Sequence, residues 1–96
     1  MPEILGGEIC NMAVIENQRG LHARAAAKFV KLAESFKGVE LTVTKGDMKV
    51  SASSIMGLMM LAAGQGTEIK ICGTGTDAAN AVGALAELVK RKFDEE

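Results

Sequence analysis

The 96-residue sequence contains no tryptophan and no tyrosine, and its only aromatic residues are three phenylalanines. The net charge is −1, from 11 basic and 12 acidic residues, and no basic run is longer than three residues. Proteins that bind nucleic acids usually combine basic patches with aromatic platforms for base stacking, and this chain lacks both. We therefore expect a core of Ala, Val, Ile, Leu and Met, and partners other than nucleic acid.

Cysteine is also scarce: Cys10 and Cys72 lie far apart and form no Cys-x-x-Cys motif. Disulfide frameworks and zinc sites usually show more cysteines or closer spacing. We predict that both cysteines are unpaired, small buried residues in a reducing cytoplasm. A metal site would require both cysteines to meet His22 in the fold, so we predict no metal and no cofactor.

Long apolar runs are missing as well. The uncharged stretch 50–67 contains three Ser, three Gly, a Gln and a Thr. Its apolar part, residues 55–63, is much shorter than the about 20 residues that span a membrane. Residues 1–7 lack the basic start and apolar segment of a signal peptide. We predict a cytoplasmic protein without membrane insertion, with a flexible N-terminal extension over residues 1–7 and a single domain over 8–96.

The pattern of apolar and turn residues predicts seven secondary-structure elements. Alternation between polar and apolar residues places strands at 8–15, 39–44, 48–51 and 67–72. Helical periodicity places helices at 23–36, 54–62 and 77–93. The order β-α-β-β-α-β-α indicates an α+β open-faced β-sandwich, in which three helices cover one face of a four-stranded antiparallel sheet.

Helix caps are expected at two of these helix starts. Ser53 or Ser54 would cap the second helix, and Thr76 or Asp77 would cap the third, because their side-chain oxygens accept the free N–H groups of a first turn.

His22 is the single histidine, and it lies where a polar loop meets the first predicted helix. A histidine in such a place is most often a cap or a surface residue. A helix start, however, stabilises an anion through its free N–H groups and its dipole. Arg24 would add charge-assisted hydrogen bonds to a phosphate, and residues 18–33 contain no acidic side chain. We therefore predict that His22 accepts a phosphoryl group, because a neutral imidazole nitrogen has a lone pair that attacks phosphorus.

The source of that phosphoryl group is expected to be another protein. The sequence contains no Gly-x-x-x-x-Gly-Lys-[Ser/Thr] loop, the motif that binds the phosphates of a nucleotide.

Two segments resemble the signatures of the histidine-containing phosphocarrier protein (HPr) family of the bacterial phosphoenolpyruvate-dependent phosphotransferase system. They are Gly-Leu-His-Ala-Arg at 20–24 and Ser-Ser-Ile-Met-Gly-Leu at 53–58. The resemblance covers residues 8–93 and implies the same β-α-β-β-α-β-α fold. It departs from the family pattern at Ala25, where proline is common, and proline would pre-set the first helical turn.

The resemblance also implies site residues. His22 would be the phosphorylated residue, through Nδ1, and Arg24 the phosphate-binding arginine. Ser54 would match a serine that a dedicated kinase phosphorylates in some members.

Partners follow from the resemblance in the same way. The chain would be a monomeric carrier rather than an enzyme, would receive the phosphoryl group from enzyme I and would pass it to an enzyme IIA domain. That domain would serve sugar uptake or the related nitrogen branch, and an HPr kinase/phosphorylase would be a further partner. The alternative is a regulatory module that binds a small ligand, similar to an ACT domain. Such a module would not need the His22–Arg24 pair and usually lacks a long third helix.

The second predicted helix is apolar nearly all round, so its orientation is ambiguous. In one arrangement Leu58, Leu61 and Ala62 face the core. The side chains that then point outward, beside the histidine, are Ile55, Met56 and Met59. Other arrangements turn Ile55 and Met59 inward or bury the whole cluster. The resemblance favours the first, because the matching positions in the family form the partner-docking face, together with Ala23.

Overall fold

The computed structural model of the chain describes residues 7–95, so the predicted N-terminal extension lies outside the described residues except for Gly7. The elements are β1 (Ile9–Val14), α1 (Ala23–Glu34), β2 (Val39–Lys45), β3 (Met48–Ser51), α2 (Ile55–Met60), β4 (Glu68–Gly75) and α3 (Ala78–Lys90). This order confirms the prediction, and the ends differ by at most three residues. Within residues 7–95, no helix has the length and apolar character needed to cross a membrane.

The four strands form one antiparallel sheet in the order β1-β4-β2-β3. Alternate side chains of the central strands point toward the helices and are buried, as the two-residue period of a strand requires. These side chains are Leu41, Val43, Ile69 and Ile71. Helix α3 packs against β1, β4 and β2, while α1 packs against α2 and α3. The predicted open-faced sandwich is thereby confirmed.

Helix α1 buries one face in this core through residues spaced for a helix: Ala25, Ala26, Phe29, Val30 and Ala33. Helix α2 is capped by Ser54, whose Oγ accepts the N–H of Gly57 at 2.9 Å. The cap is therefore Ser54 rather than Ser53. At α3 the flanking residue is Asp77, but its side chain makes no capping bond and instead accepts a hydrogen bond from Asn80 Nδ2 at 2.8 Å.

The prediction of unpaired cysteines is wrong. Cys10 and Cys72 form a disulfide bond between β1 and β4, where they are directly opposite each other. Their separation of 62 residues gave no sign of this pairing. The two cysteines meet because β4 enters the sheet beside β1, which is a consequence of topology rather than of sequence spacing. The burial predicted for Cys72 is confirmed, whereas the burial predicted for Cys10 is wrong, because Cys10 lies on the edge strand β1 and is not buried.

The predicted extent of the third helix is also wrong at its C-terminal end. Helix α3 stops at Lys90, and Lys92, Phe93 and Asp94 form a left-handed turn with φ of 60°, 55° and 59°. This conformation costs roughly 1–2 kcal/mol for each residue other than glycine. Burial of the fully enclosed Phe93 side chain offsets part of that cost. Because Phe93 is apolar, it fits the helical pattern that predicts a helix as far as residue 93.

Two further contacts hold this turn in place. Lys28 Nζ on α1 donates a hydrogen bond to the Phe93 carbonyl at 2.8 Å, and Arg91 Nε pairs with Asp94 Oδ1 at 2.9 Å. Because α1 holds the turn, the end of the chain comes back toward the start of that helix.

Replacing Phe93 with alanine should lower the free energy of unfolding by about 3 kcal/mol, because it leaves a cavity and removes the burial that offsets the left-handed turn. Urea denaturation monitored by circular dichroism measures the change. Met60→Ala is the control, since that side chain is 65% exposed and its loss should have little effect. Equal losses in the two variants would contradict the role given to Phe93.

Candidate functional site

The loop before α1 is held tightly against the segment that follows α2. Gly20 has φ of +67°, and a Cβ at this position would lie 2.7 Å from the Ala63 carbonyl oxygen. The next residue, Leu21, buries its side chain and donates its N–H to the same carbonyl at 2.9 Å. A glycine followed by an apolar residue therefore fixes the backbone that enters His22.

His22 occupies the N-cap position of α1, which confirms its predicted place at a helix start. Its carbonyl accepts the N–H of Ala26 at 2.8 Å, while its ring makes no capping bond. The first helical turn thus retains free N–H groups and carries no acidic residue. The ring is 18% exposed, so the protein encloses most of it and leaves part of it accessible to solvent.

The His22 ring is held by a residue that the sequence did not reveal, Glu95. His22 Nε2 lies 2.7 Å from Glu95 Oε2, and Glu95 Oε1 accepts a hydrogen bond from Asn17 Nδ2 at 2.8 Å. The hydrogen bond from Asn17, followed by that from His22, lowers the pKa of the Glu95 carboxyl below its ordinary value. The carboxylate is therefore ionised at neutral pH, and the contact is lost only as the pH falls through that lowered value.

This contact distinguishes the two ring nitrogens. An ionised carboxylate only accepts hydrogen bonds, so the nitrogen facing it, Nε2, carries a hydrogen. In the neutral imidazole the lone pair then resides on Nδ1. The geometry thus leaves Nδ1 as the ring nitrogen of His22 with a free lone pair.

Asn17 joins the loop to the chain end. It is completely buried, and its Nδ2 donates to the Gly20 carbonyl at 2.8 Å as well as to Glu95. Its Oδ1 has no hydrogen-bond partner in the described part of the chain. The sequence did not indicate Asn17, because asparagine is common in polar loops. It did not indicate Glu95 either, because glycine is the usual signal of a left-handed turn and none follows α3.

Arg24 lies in the first turn of α1 with an exposed side chain. Within residues 7–95, no carboxylate pairs with its guanidinium group, which leaves the group available to an anion near His22. Ala25 is buried in the same turn. Helix α1 begins at Ala23 with alanine at position 25, and alanine has the highest helix propensity, so proline is not required to start the helix.

The outward arc predicted for α2 is exposed as expected. Ile55, Met56 and Met59 are 40%, 74% and 42% exposed, and Ala23 at the start of α1 is exposed too. Met60, which the prediction omitted, adds a further side chain at 65% exposure. We call these four α2 side chains the apolar patch; α2 packs against α1, so the patch lies beside the helix that begins at His22.

The inward arc was predicted correctly except at one residue. Leu58 and Leu61 are buried, as expected. Ala62 is exposed, and Ala63 is buried in its place. The helix ends at Met60 and Ala62 adopts a left-handed conformation with φ of 51°, so the helical wheel no longer applies there.

Comparisons with known proteins agree with this architecture. A family model described as the phosphorylation site of the HPr component of the phosphotransferase system matches residues 10–91. The phosphocarrier protein HPr of Neisseria meningitidis serogroup B is 51% identical over 81 residues, which cover 84% of this chain and 90% of that protein. The phosphocarrier protein NPr of Shewanella violacea is 48% identical over 79 residues, covering 82% and 86%.

A solved structure shows the same fold. The crystal structure of HPr-C-His from Thermoanaerobacter tengcongensis superimposes with a TM-score of 0.83 at 42% identity, covering 94% of this chain and 98% of that one. Together with the family match, this likeness favours a phosphocarrier over the ACT-like alternative. The chain belongs to the HPr family of phosphocarrier proteins of the phosphotransferase system.

Proposed function

We propose that Nδ1 of His22 accepts a phosphoryl group from enzyme I and donates it to an enzyme IIA domain. Membership of the HPr family makes the chain a phosphocarrier that works with other proteins of the phosphotransferase system. The observation that carries the assignment to one atom is the 2.7 Å contact between His22 Nε2 and Glu95 Oε2. The acceptor domain belongs to the sugar or the nitrogen branch, since the relatives named HPr and NPr have nearly the same sequence identity to this chain, 51% and 48%.

The transfer begins with the lone pair on Nδ1. A bond forms between Nδ1 and phosphorus while the bond between phosphorus and the phosphorylated group of the donor breaks. The imidazole becomes positively charged, and the Glu95 carboxylate stabilises that charge through the hydrogen on Nε2. Donation to the acceptor reverses these changes, and Nδ1 regains its lone pair.

The phosphoryl oxygens need their own partners, and two are available. The free N–H groups at the start of α1 and the positive end of its dipole favour negative charge beside His22. The Arg24 guanidinium supplies planar donors of the kind that bind phosphate oxygens. The phosphoryl group would be stabilised on the surface, where a partner protein can approach it.

The apolar patch would form the docking surface for both protein partners, together with Ala23. Full burial of a side chain of this size stabilises a protein by roughly 1.5–3 kcal/mol. Because these side chains are partly exposed, a partner that covers them would gain some of this free energy on binding. Three of the four side chains in the patch are methionines, whose flexible thioethers adapt to different surfaces. One patch would thereby serve a donor and an acceptor in turn.

Replacing His22 with alanine should abolish phosphorylation by enzyme I and phosphoenolpyruvate, because no other imidazole is present in the chain. The measurement is incorporation of radiolabelled phosphate, which in the wild type should be labile in acid and stable in base. Ser53→Ala is the control variant: it removes a hydroxyl group rather than the imidazole, so it should incorporate the label as the wild type does. Acid-labile label that persists in His22→Ala would refute the assignment.

Replacing Glu95 with alanine should slow phosphorylation several-fold, because the positive charge on the ring loses its acceptor and the ring loses its support. Glu87→Ala is the matched control, since Glu87 is an exposed glutamate on α3. Because the pKa of Glu95 is lowered, the difference between wild type and variant should persist across pH 6–8. Identical initial rates for the two variants would show that Glu95 does not act on His22.

Regulation at Ser54 forms the last part of the proposal: a kinase phosphorylates this serine and weakens docking. Its Oγ caps α2 directly before the apolar patch, so a phosphate there would put charge at an interface that must lose water. The helix would remain intact because its N-terminus tolerates an anion.

Ser54→Asp should therefore reduce the rate of enzyme I-dependent phosphorylation by about tenfold, equivalent to about 1.4 kcal/mol of binding. Ser54→Ala is the control, because it removes the cap without adding a charge. It should lower the free energy of unfolding by about 1 kcal/mol and leave the phosphorylation rate unchanged. A rate for Ser54→Asp equal to that of the wild type would rule out this form of regulation.

A further inference from the structure

The open face of the sheet carries a second group of reactive side chains. A Cβ built at Gly73 would lie 3.0 Å from Val82 Cγ2 of α3, so position 73 faces the helices. Successive side chains of a strand alternate between faces, so Cys72 lies on the open face. Cys10 lies opposite Cys72 on β1, and Glu8 precedes Cys10 by two residues, the spacing that returns a side chain to the same face. The two sulfur atoms and a carboxylate oxygen of Glu8 all lie within 4.8 Å of one another.

We propose that the reduced Cys10–Cys72 pair, with Glu8, binds a thiophilic divalent cation of the zinc class, and that the disulfide closes this site. Two thiolates and one carboxylate are ligands that zinc prefers, and a water molecule would complete a tetrahedral shell. Opposite positions on adjacent strands hold both sulfurs for the same ion. The His22 ring is engaged with Glu95 and takes no part.

The chemistry has two balanced steps. A cellular thiol reduces the disulfide: two thiol molecules give up two electrons and two protons, the bond between the cysteine sulfurs breaks, and one small-molecule disulfide forms. The cation then displaces one proton from each cysteine, and two metal–sulfur bonds form as two protons leave. Oxidation of the pair reverses the sequence and releases the ion.

Thr42 provides an independent indication that a thiolate belongs here. Its Oγ1 is buried and has no hydrogen-bond partner among residues 7–95, which is energetically unfavourable for a hydroxyl. Thr42 lies opposite Cys72 on β2, where side chains of neighbouring strands are in contact distance. A thiolate at Cys72 would give this hydroxyl an acceptor, which a disulfide sulfur provides only weakly.

Cobalt(II) is a suitable probe because its complexes with thiolates absorb in the near ultraviolet through ligand-to-metal charge transfer. The full-length protein, reduced without oxygen and titrated with cobalt(II), should develop this absorption at one ion per chain, and zinc should bleach it. The oxidised protein should show none. Absence of the band in the reduced protein, or its equal presence in the oxidised one, would overturn the proposal.

Variants identify the ligands. Cys10→Ser should remove the charge-transfer absorption. Cys10 is a better site for substitution than the buried Cys72, because it lies on an edge strand. Circular dichroism would check that the variant folds. Glu8→Gln should weaken cobalt affinity by at least about tenfold, a loss typical of metal-site substitutions. Glu68→Gln is the matched control, since Glu68 is an exposed residue of β4 opposite Val14, and it should bind as the wild type does. Unchanged affinity in Cys10→Ser or in Glu8→Gln would overturn the three-ligand site.

Discussion

The hydrogen bond between His22 Nε2 and the Glu95 carboxylate joins residues separated by 73 positions. A carboxylate accepts but does not donate at neutral pH, so this one contact assigns the ring hydrogen to Nε2 and leaves the lone pair on Nδ1. It also orients the ring and places a negative charge beside Nε2. The tautomer of the single histidine thus depends on the position of Glu95.

The fold brings that chain end to the histidine at some energetic cost. Three consecutive residues after α3 take left-handed conformations, and the enclosed Phe93 side chain and the Lys28 hydrogen bond compensate for them. In the loop before His22, Gly20 lets the backbone approach Ala63 closely. Asn17 links this loop to the turn after α3 through its bonds to Gly20 and Glu95. These contacts together orient the His22 ring.

Features encoded by local patterns were predictable from the sequence. Periodicity gave the order of the elements, and the change from polar loop to helix placed His22 at the helix start. Features created by tertiary structure were not predictable: the Cys10–Cys72 bond depends on β4 lying beside β1, and Glu95 reaches the site through a turn without glycine. Phe93 continued the helical pattern although it is buried in a different conformation.

The state of the His22 ring can be observed directly, because a single histidine makes its NMR signals unambiguous. Long-range correlation of the ring carbon-bound hydrogens with ¹⁵N, recorded above pH 8, reports which nitrogen carries the hydrogen. A protonated Nε2 and an unprotonated Nδ1 are expected in the wild type, and a mixture of both tautomers in Glu95→Ala. A wild-type ring with its hydrogen on Nδ1 would contradict the account, because Nδ1 would then lack the lone pair on which the proposed phosphoryl transfer depends.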